Sequence, residues 1–232
     1  MSVPLSRFVL SAAELLLGET MKALRSEGVD VESYNGALLN EPWTIQNQSG
    51  RPFQVFTLFW RHCLAKPAPA EPAPVPRKLP APARWPKSFA LDSLGLEAET
   101  PWAAGMRAAW KPGVAGTRAQ LERFLSDAIL KYGEDRNRPG RVGTSRLSPH
   151  LHFGEITPRQ IWHTLRRPAE ARNIPETTWR ASQFITEIGW REFVHHLLFH
   201  FPQTPQQPLR AEFKRFPWRT DIRAGTPRDE PG

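Results

Sequence analysis

Within five residues, Thr144-Ser145-Arg146-Leu147-Ser148 gathers three hydroxyls, a guanidinium and a run of consecutive backbone N–H groups. Pro139-Gly140 and Gly143 lie just before it and Pro149 just after, so the backbone can turn tightly on both sides. Such a donor-rich turn has the chemistry to hold a phosphate or pyrophosphate. The same composition also makes ordinary Ser/Thr caps. A second constellation is Glu187, Trp190 and Arg191, at i, i+3 and i+4, which a helix would project from one face. A carboxyl, an indole and a guanidinium placed together can stack on a nucleobase drawn out of a duplex and read its edge. They can equally be a surface Glu187–Arg191 pair worth ~0.3 kcal/mol beside a buried Trp. Residue type and spacing leave both readings open.

The elements that must position these residues read as helices. Thr117 with Gln120 three residues on has the pattern of a capping box, and Leu121, Phe124, Leu125, Ala128, Ile129 and Tyr132 mark one helical face that Gly133 ends. Thr157-Pro158 with Gln160 repeats the start signal before Ile161, Trp162 and Leu165. A third helix is predicted from about Thr178 to His200, with Ala181, Phe184, Ile185 and Ile188 on one side. Without strand-like alternation here, this half reads as all-α. Near the start, Ala12, Ala13, Leu16, Leu17, Ala23 and Leu24 recur at helical spacing until Gly28, before the strand-like Val29-Asp30-Val31 and the Asn35-Gly36 turn. Eight prolines between Pro67 and Pro86 preclude helix or central strand and predict a stiff extended linker.

Composition sets the outer limits. Among 232 residues Lys and Arg outnumber Asp and Glu by 31 to 23, giving a net charge of +8 that suits a polyanionic partner. The single cysteine, Cys63, excludes an internal disulfide and a multi-thiolate zinc site, and makes a reducing compartment, simplest the cytoplasm, the default expectation. No apolar run approaches the ~18 residues of a membrane span. Nine Trp against two Tyr is an unusual balance that composition alone cannot assign to core, stacking or redox duty.

Longer motifs narrow the choice. Gly143 to Gln160, reading Gly-Thr-Ser-Arg-Leu-Ser-Pro-His-Leu-His-Phe-Gly-Glu-Ile-Thr-Pro-Arg-Gln, resembles the flavin-phosphate segment of the DNA photolyase/cryptochrome family and the helix after it. Trp190-Arg191-Glu192-Phe193, with Glu187 before it and His195-His196-Leu197-Leu198 after, is similar to that family's lesion-facing helix. Tyr132 and Arg136, twelve and eight residues before Thr144, match a flavin contact and a DNA contact in order and spacing. Arg51 to Arg61 resembles the junction after the family's antenna domain, with Leu58 where Pro is expected. The nearest type is a bacterial class I cyclobutane pyrimidine dimer photolyase.

The resemblance implies a mainly α fold in four stretches. Residues 1–45 would end an α/β antenna domain, 46–110 would form the linker with its Pro-rich part at 67–86, 111–224 would be the first half of an all-α FAD-binding domain, and 225–232 a divergent tail. It implies FAD held by Tyr132, Thr144, Ser145, Arg146, Leu147 and Ser148, with Arg191 beside it. Arg136 would meet a DNA phosphate, and Glu187 and Trp190 would be the catalytic, lesion-facing pair, joined by Arg191 in contacting DNA. The implied activity is light-driven repair of pyrimidine dimers in DNA by a monomer, with a folate or deazaflavin antenna in full-length members. Later family motifs, a Gly-Tyr-Pro segment and an Asn- and Trp-rich flavin clamp, find no counterpart after Asp221, so a truncation or reading-frame change near Ala224 is expected. A cryptochrome-like photoreceptor and an inactive DNA-binding remnant are the alternatives.

Overall fold

The computed structural model describes residues 18–85, 87–96 and 102–217. The expected helix start at residues 12–17 and the tail from residue 218 lie outside the described residues. Among the described residues nine α-helices follow in order: α1 over 18–26, α2 (Phe56–Ala65), α3 (Ala103–Ala109), α4 (Gly113–Ser126), α5 (Tyr132–Asp135), α6 (Ser148–His152), α7 (Pro158–Ala171), α8 (Glu176–Arg180) and α9 (Gln183–His200). Among the described residues there is no β-strand, in keeping with a mainly α fold.

Two compact units divide at residue 36. In the first, α1 ends as its glycine predicts: Gly28 takes φ +77°, a left-handed conformation that costs a residue without Cβ little, and its N–H bonds to Arg25 O at 3.0 Å. Val29-Asp30-Val31 joins no ladder among the described residues. An isolated strand has nowhere to place its backbone donors and acceptors, and here the Arg25 guanidinium takes one of them, the Val31 carbonyl, at 2.9 Å.

The second unit, Ala37–Gly232, is organised around α9. Its buried residues Ile185, Ile188, Gly189, Glu192, Phe193 and His196 recur at three- and four-residue intervals and form a stripe against α2 and the 3₁₀ turn Pro42–Thr44. The approach of α2 is close because Gly189 allows it. A Cβ at that position would lie 2.6 Å from the Trp60 ring, so any larger residue would push the two helices apart. Phe59, Ile161 and Ile185 are among the most deeply buried side chains, each contributing roughly 1.5–3 kcal/mol of burial.

Three helix boundaries differ from the predicted ones. Thr117 does not cap: α4 begins four residues earlier at Gly113, and the Thr117 hydroxyl, inside the helix, donates back to Gly113 O at 2.9 Å. The helical face traced to Tyr132 is likewise broken, with 3₁₀ turn Ala128–Lys131 between α4 and α5, and Gly133 lies within α5 instead of ending a helix. The predicted third helix is two pieces, since Ser182 takes a non-helical conformation and caps α9 through its bond from Ile185 N. The Thr157 capping box forms as read, with both reciprocal bonds to Gln160. No helix or strand forms among the described residues of the Pro-rich segment, and His163 Nε2 on α7 lies 2.9 Å from Pro69 O, pinning the start of the segment to α7.

Candidate flavin-phosphate and lesion site

The donor-rich segment has a buried floor and an open rim. Gly143 is buried because Asp135 passes directly over it; a Cβ there would sit 2.6 Å from the Asp135 backbone, which explains a glycine at the head of the segment. Leu147 is 1% exposed and anchors the middle. From α4, Gln120 Nε2 donates to Ser145 O at 2.7 Å, so the residue predicted to serve a cap instead holds the segment's backbone. Ser145 Oγ accepts from Leu147 N at 3.4 Å. Arg146 takes φ +52°, a left-handed conformation uncommon for a residue with a side chain. Thr144, Arg146 and Ser148 are exposed, and among the described residues their side chains bond to no protein group. Two hydroxyls and a guanidinium on a rigid floor fit the phosphates of a dinucleotide, which offer only acceptors.

Below the segment, α6 is fixed by a polar clasp. His150, 4% exposed, brings Nδ1 to 2.5 Å from Glu155 Oε2 and 2.9 Å from Thr117 Oγ1, while Glu155 Oε1 accepts from Gly113 N at 2.8 Å. The hydrogen bond from His150, followed by that from Gly113, holds the Glu155 carboxyl below its ordinary range. The clasp ties the start of α4 to the helix that carries Ser148.

The second constellation opens on Tyr132, which packs edge-on against Phe124 and Phe184 at 5.7 and 5.3 Å and carries the Arg136 guanidinium 5.6 Å over its ring. Burial pushes the Tyr132 phenol up. Arg136 ion-pairs with Glu187 Oε1, and Gln183 Nε2, one turn back on α9, donates to the same oxygen at 2.7 Å. Tyr132 and Gln183 line an apolar cleft of about 380 Å³ with Leu165, Trp179 and Phe184. Tyr132, Arg136 and Glu187 are thus brought together.

Trp190 and Arg191, on the same helix, meet other partners. The Trp190 ring stacks on Phe56 of α2, centroids 3.7 Å apart and planes 10° from parallel, with 44% of the residue still exposed. Arg191 Nη1 donates to Ala37 O, so the i, i+4 surface pair with Glu187 does not form: both residues bond across the fold instead. Burial pulls the Arg191 guanidinium down.

Several working residues carried no assigned role in the sequence reading. Glu192 is 2% exposed and accepts from Leu39 N and Asn40 N at 2.9–3.0 Å; its burial outweighs those bonds and pushes the carboxyl up to about 7. His196 Nε2 accepts from Phe53 N at 3.1 Å, and burial, then His200, pulls it down to about 4. A charged residue falling on the buried register of α9 was the available signal for Glu192. For Phe56, Gln120 and Gln183 there was none, because their partners are set by packing.

Comparison with known proteins places this arrangement. A family model described as DNA photolyase matches residues 4–81. A deoxyribodipyrimidine photo-lyase of Agrobacterium fabrum is 41% identical over 199 residues, covering 85% of this chain and 41% of the relative. Cryptochrome-2 of Arabidopsis thaliana is 35% identical over 210 residues, 86% of this chain and 34% of the relative. The crystal structure of a bacterial class III photolyase from Agrobacterium tumefaciens superposes with a TM-score of 0.78 at 38% identity, over 92% of this chain and 43% of that one. That structure's subclass, III, differs from the class I type suggested by the motifs. The chain spans about two fifths of the length of these photolyases. With fold, motif order and relatives in agreement, the chain belongs to the DNA photolyase/cryptochrome family.

Proposed function

We propose that this chain carries the phosphate-holding and lesion-facing part of a light-driven enzyme that repairs pyrimidine dimers in DNA, using FAD. The observation that carries the reading is the phosphate segment, with a buried floor at Gly143 and Leu147 and a rim of Thr144, Arg146 and Ser148 free to bond a ligand. When bound, FAD supplies photo-excited electron donation to the dimer. Ser145 and Leu147 set the backbone that receives the phosphates, Tyr132 packs beside the cofactor, and Arg191 borders it. Trp190 offers the dimer a π face. Glu187 hydrogen-bonds the carbonyl edge of the extruded base, which requires a carboxyl that carries or shares a proton. Arg136 takes a DNA phosphate, with Arg138 and Arg141 on the same exposed turn adding charge.

Residues 46–110 read as the linker, 111–224 as the first half of the FAD-binding domain and 1–45 as the end of an antenna domain, the domain that holds folate or deazaflavin in full-length members of the family. The protein acts as a monomer in the cytoplasm, a setting suited to Cys63, whose buried thiol is pushed up to about 12. The similarity to Cryptochrome-2 of Arabidopsis thaliana, at 35% identity, supports a second reading as a photoreceptor that binds flavin without repair.

Purifying the chain, recording its absorption and assaying dimer splitting under blue light tests both. A flavin band with splitting supports repair, and a flavin band without it the photoreceptor. Colourless protein that takes up no added FAD overturns both.

A further inference from the structure

The Arg136–Glu187 ion pair poses a conflict for the roles just proposed, and this inference rests on that reading. Arg136 cannot give its guanidinium to a DNA phosphate, nor Glu187 its carboxyl to a base, while each is bonded to the other. The pair is half-buried, with the two side chains 27% and 31% exposed, so water screens it and separation costs little. A phosphate, like the carboxylate, offers the guanidinium two acceptor oxygens for a bidentate pair. Gln183 Nε2 holds Glu187 Oε1 from the next turn of α9 and does not depend on Arg136. The carboxyl therefore stays in place when the arginine leaves.

We infer that the Arg136–Glu187 pair is a substrate-exchanged lock. A backbone phosphate draws Arg136 off Glu187, and the carboxyl, released by its cationic partner and still positioned by Gln183, becomes free to meet the extruded base. The lock withholds the lesion-reading group until a phosphate is in register, coupling the sequence-blind contact to the specific one. It also competes with DNA for Arg136, so Glu187 lowers affinity for undamaged duplex.

The test is that last consequence, since loss of a base-reading residue would ordinarily leave undamaged DNA unaffected. Binding of a fluorescent undamaged duplex is measured by anisotropy at low salt for the purified chain, E187Q, R136A and R136A/E187Q. E134Q, which removes a neighbouring carboxylate that is 77% exposed, controls for net charge. The expected result is that E187Q binds about three- to fivefold tighter than the parent, a partly exposed pair's worth. E134Q should change binding less, and in the R136A background E187Q should bring no gain. An E187Q gain equal to that of E134Q, or one that survives in R136A, overturns the lock while leaving the DNA reading intact. A parent chain that binds no duplex at any salt overturns the DNA reading and the lock with it.

Discussion

The phosphate segment and the functional face of α9 are built on opposite plans. In the segment, backbone and small residues are locked from below by Gly143, Leu147 and Gln120, while the polar side chains of Thr144, Arg146 and Ser148 bond to nothing in the protein among the described residues. On α9 every polar or aromatic group of interest is engaged: Glu187 by Arg136 and Gln183, Trp190 by Phe56, Arg191 by Ala37, Glu192 by Leu39 and Asn40. The loop can therefore bind a ligand without giving up folding contacts. The helix face is paired within the protein, and a ligand there must compete with existing partners. Substitutions should accordingly cost stability on α9 and ligand affinity in the segment.

The strongest case is Glu192→Ala. It removes the acceptor of two backbone N–H groups, those of Leu39 and Asn40, in a buried site, so the loss is expected at about 2–5 kcal/mol, read from urea unfolding. A loss below 1 kcal/mol would mean that water replaces the carboxyl, and that this end of α9 is less closed than its burial indicates.

Trp190→Ala should come next. The Phe56 stack and partial burial predict a loss of about 1–3 kcal/mol by thermal melting. The same variant should lose preference for dimer-containing over undamaged DNA. An unchanged preference would leave Trp190 a packing residue alone and remove it from the site.

The buried titrating pair on α9 sets a third effect. The Glu192 carboxyl, raised to about 7, still holds a proton in the native state where the unfolded chain has released it, from about pH 4.5 upward. That stabilisation is complete at low pH and is lost as pH rises through 7. His196, lowered to about 4, acts the other way: between about pH 4 and 6.5 the unfolded chain binds a proton that the native state refuses, so stability grows with pH. His195, pulled down mainly by burial, adds in the same direction. The opposed slopes largely cancel in the parent. In E192Q the falling component is gone, and its stability should climb with pH more steeply than the parent's by about 1.4 kcal/mol per pH unit between 4.5 and 7. Parallel curves would show that Glu192 stays ionised throughout.

What could be read in advance follows the same division. The phosphate segment was readable because its chemistry is local: hydroxyls, glycines and a following proline within eleven residues specify a turn with spare donors. The Thr157 capping box and the Gly28 stop were readable for the same reason. The partners on α9 come from 51, 134 and 154 residues away, at Arg136, Phe56 and Ala37, and no spacing rule along one helix names them. Thr117 failed as a cap because Gly113 and Glu155 offered α4 an earlier start, with the Glu155 carboxylate accepting from Gly113 N in place of a capping hydroxyl.

Arg146 gives the smallest effect on stability and the cleanest separation of the two plans. Its φ of +52° costs a side-chain-bearing residue about 1 kcal/mol, which glycine relieves. Glycine also loosens the unfolded chain by about 0.4–1 kcal/mol. These terms oppose each other, and the exposed guanidinium has no protein partner among the described residues to lose. Arg146→Gly should therefore shift stability by less than about 1 kcal/mol in either direction. Its loss of a charge-assisted bond to phosphate, about 1.5–3 kcal/mol, should weaken FAD binding about tenfold or more in equilibrium dialysis. A variant that melts early but keeps its flavin affinity would reverse the assignment, making Arg146 a part of the fold and moving the phosphates to another surface.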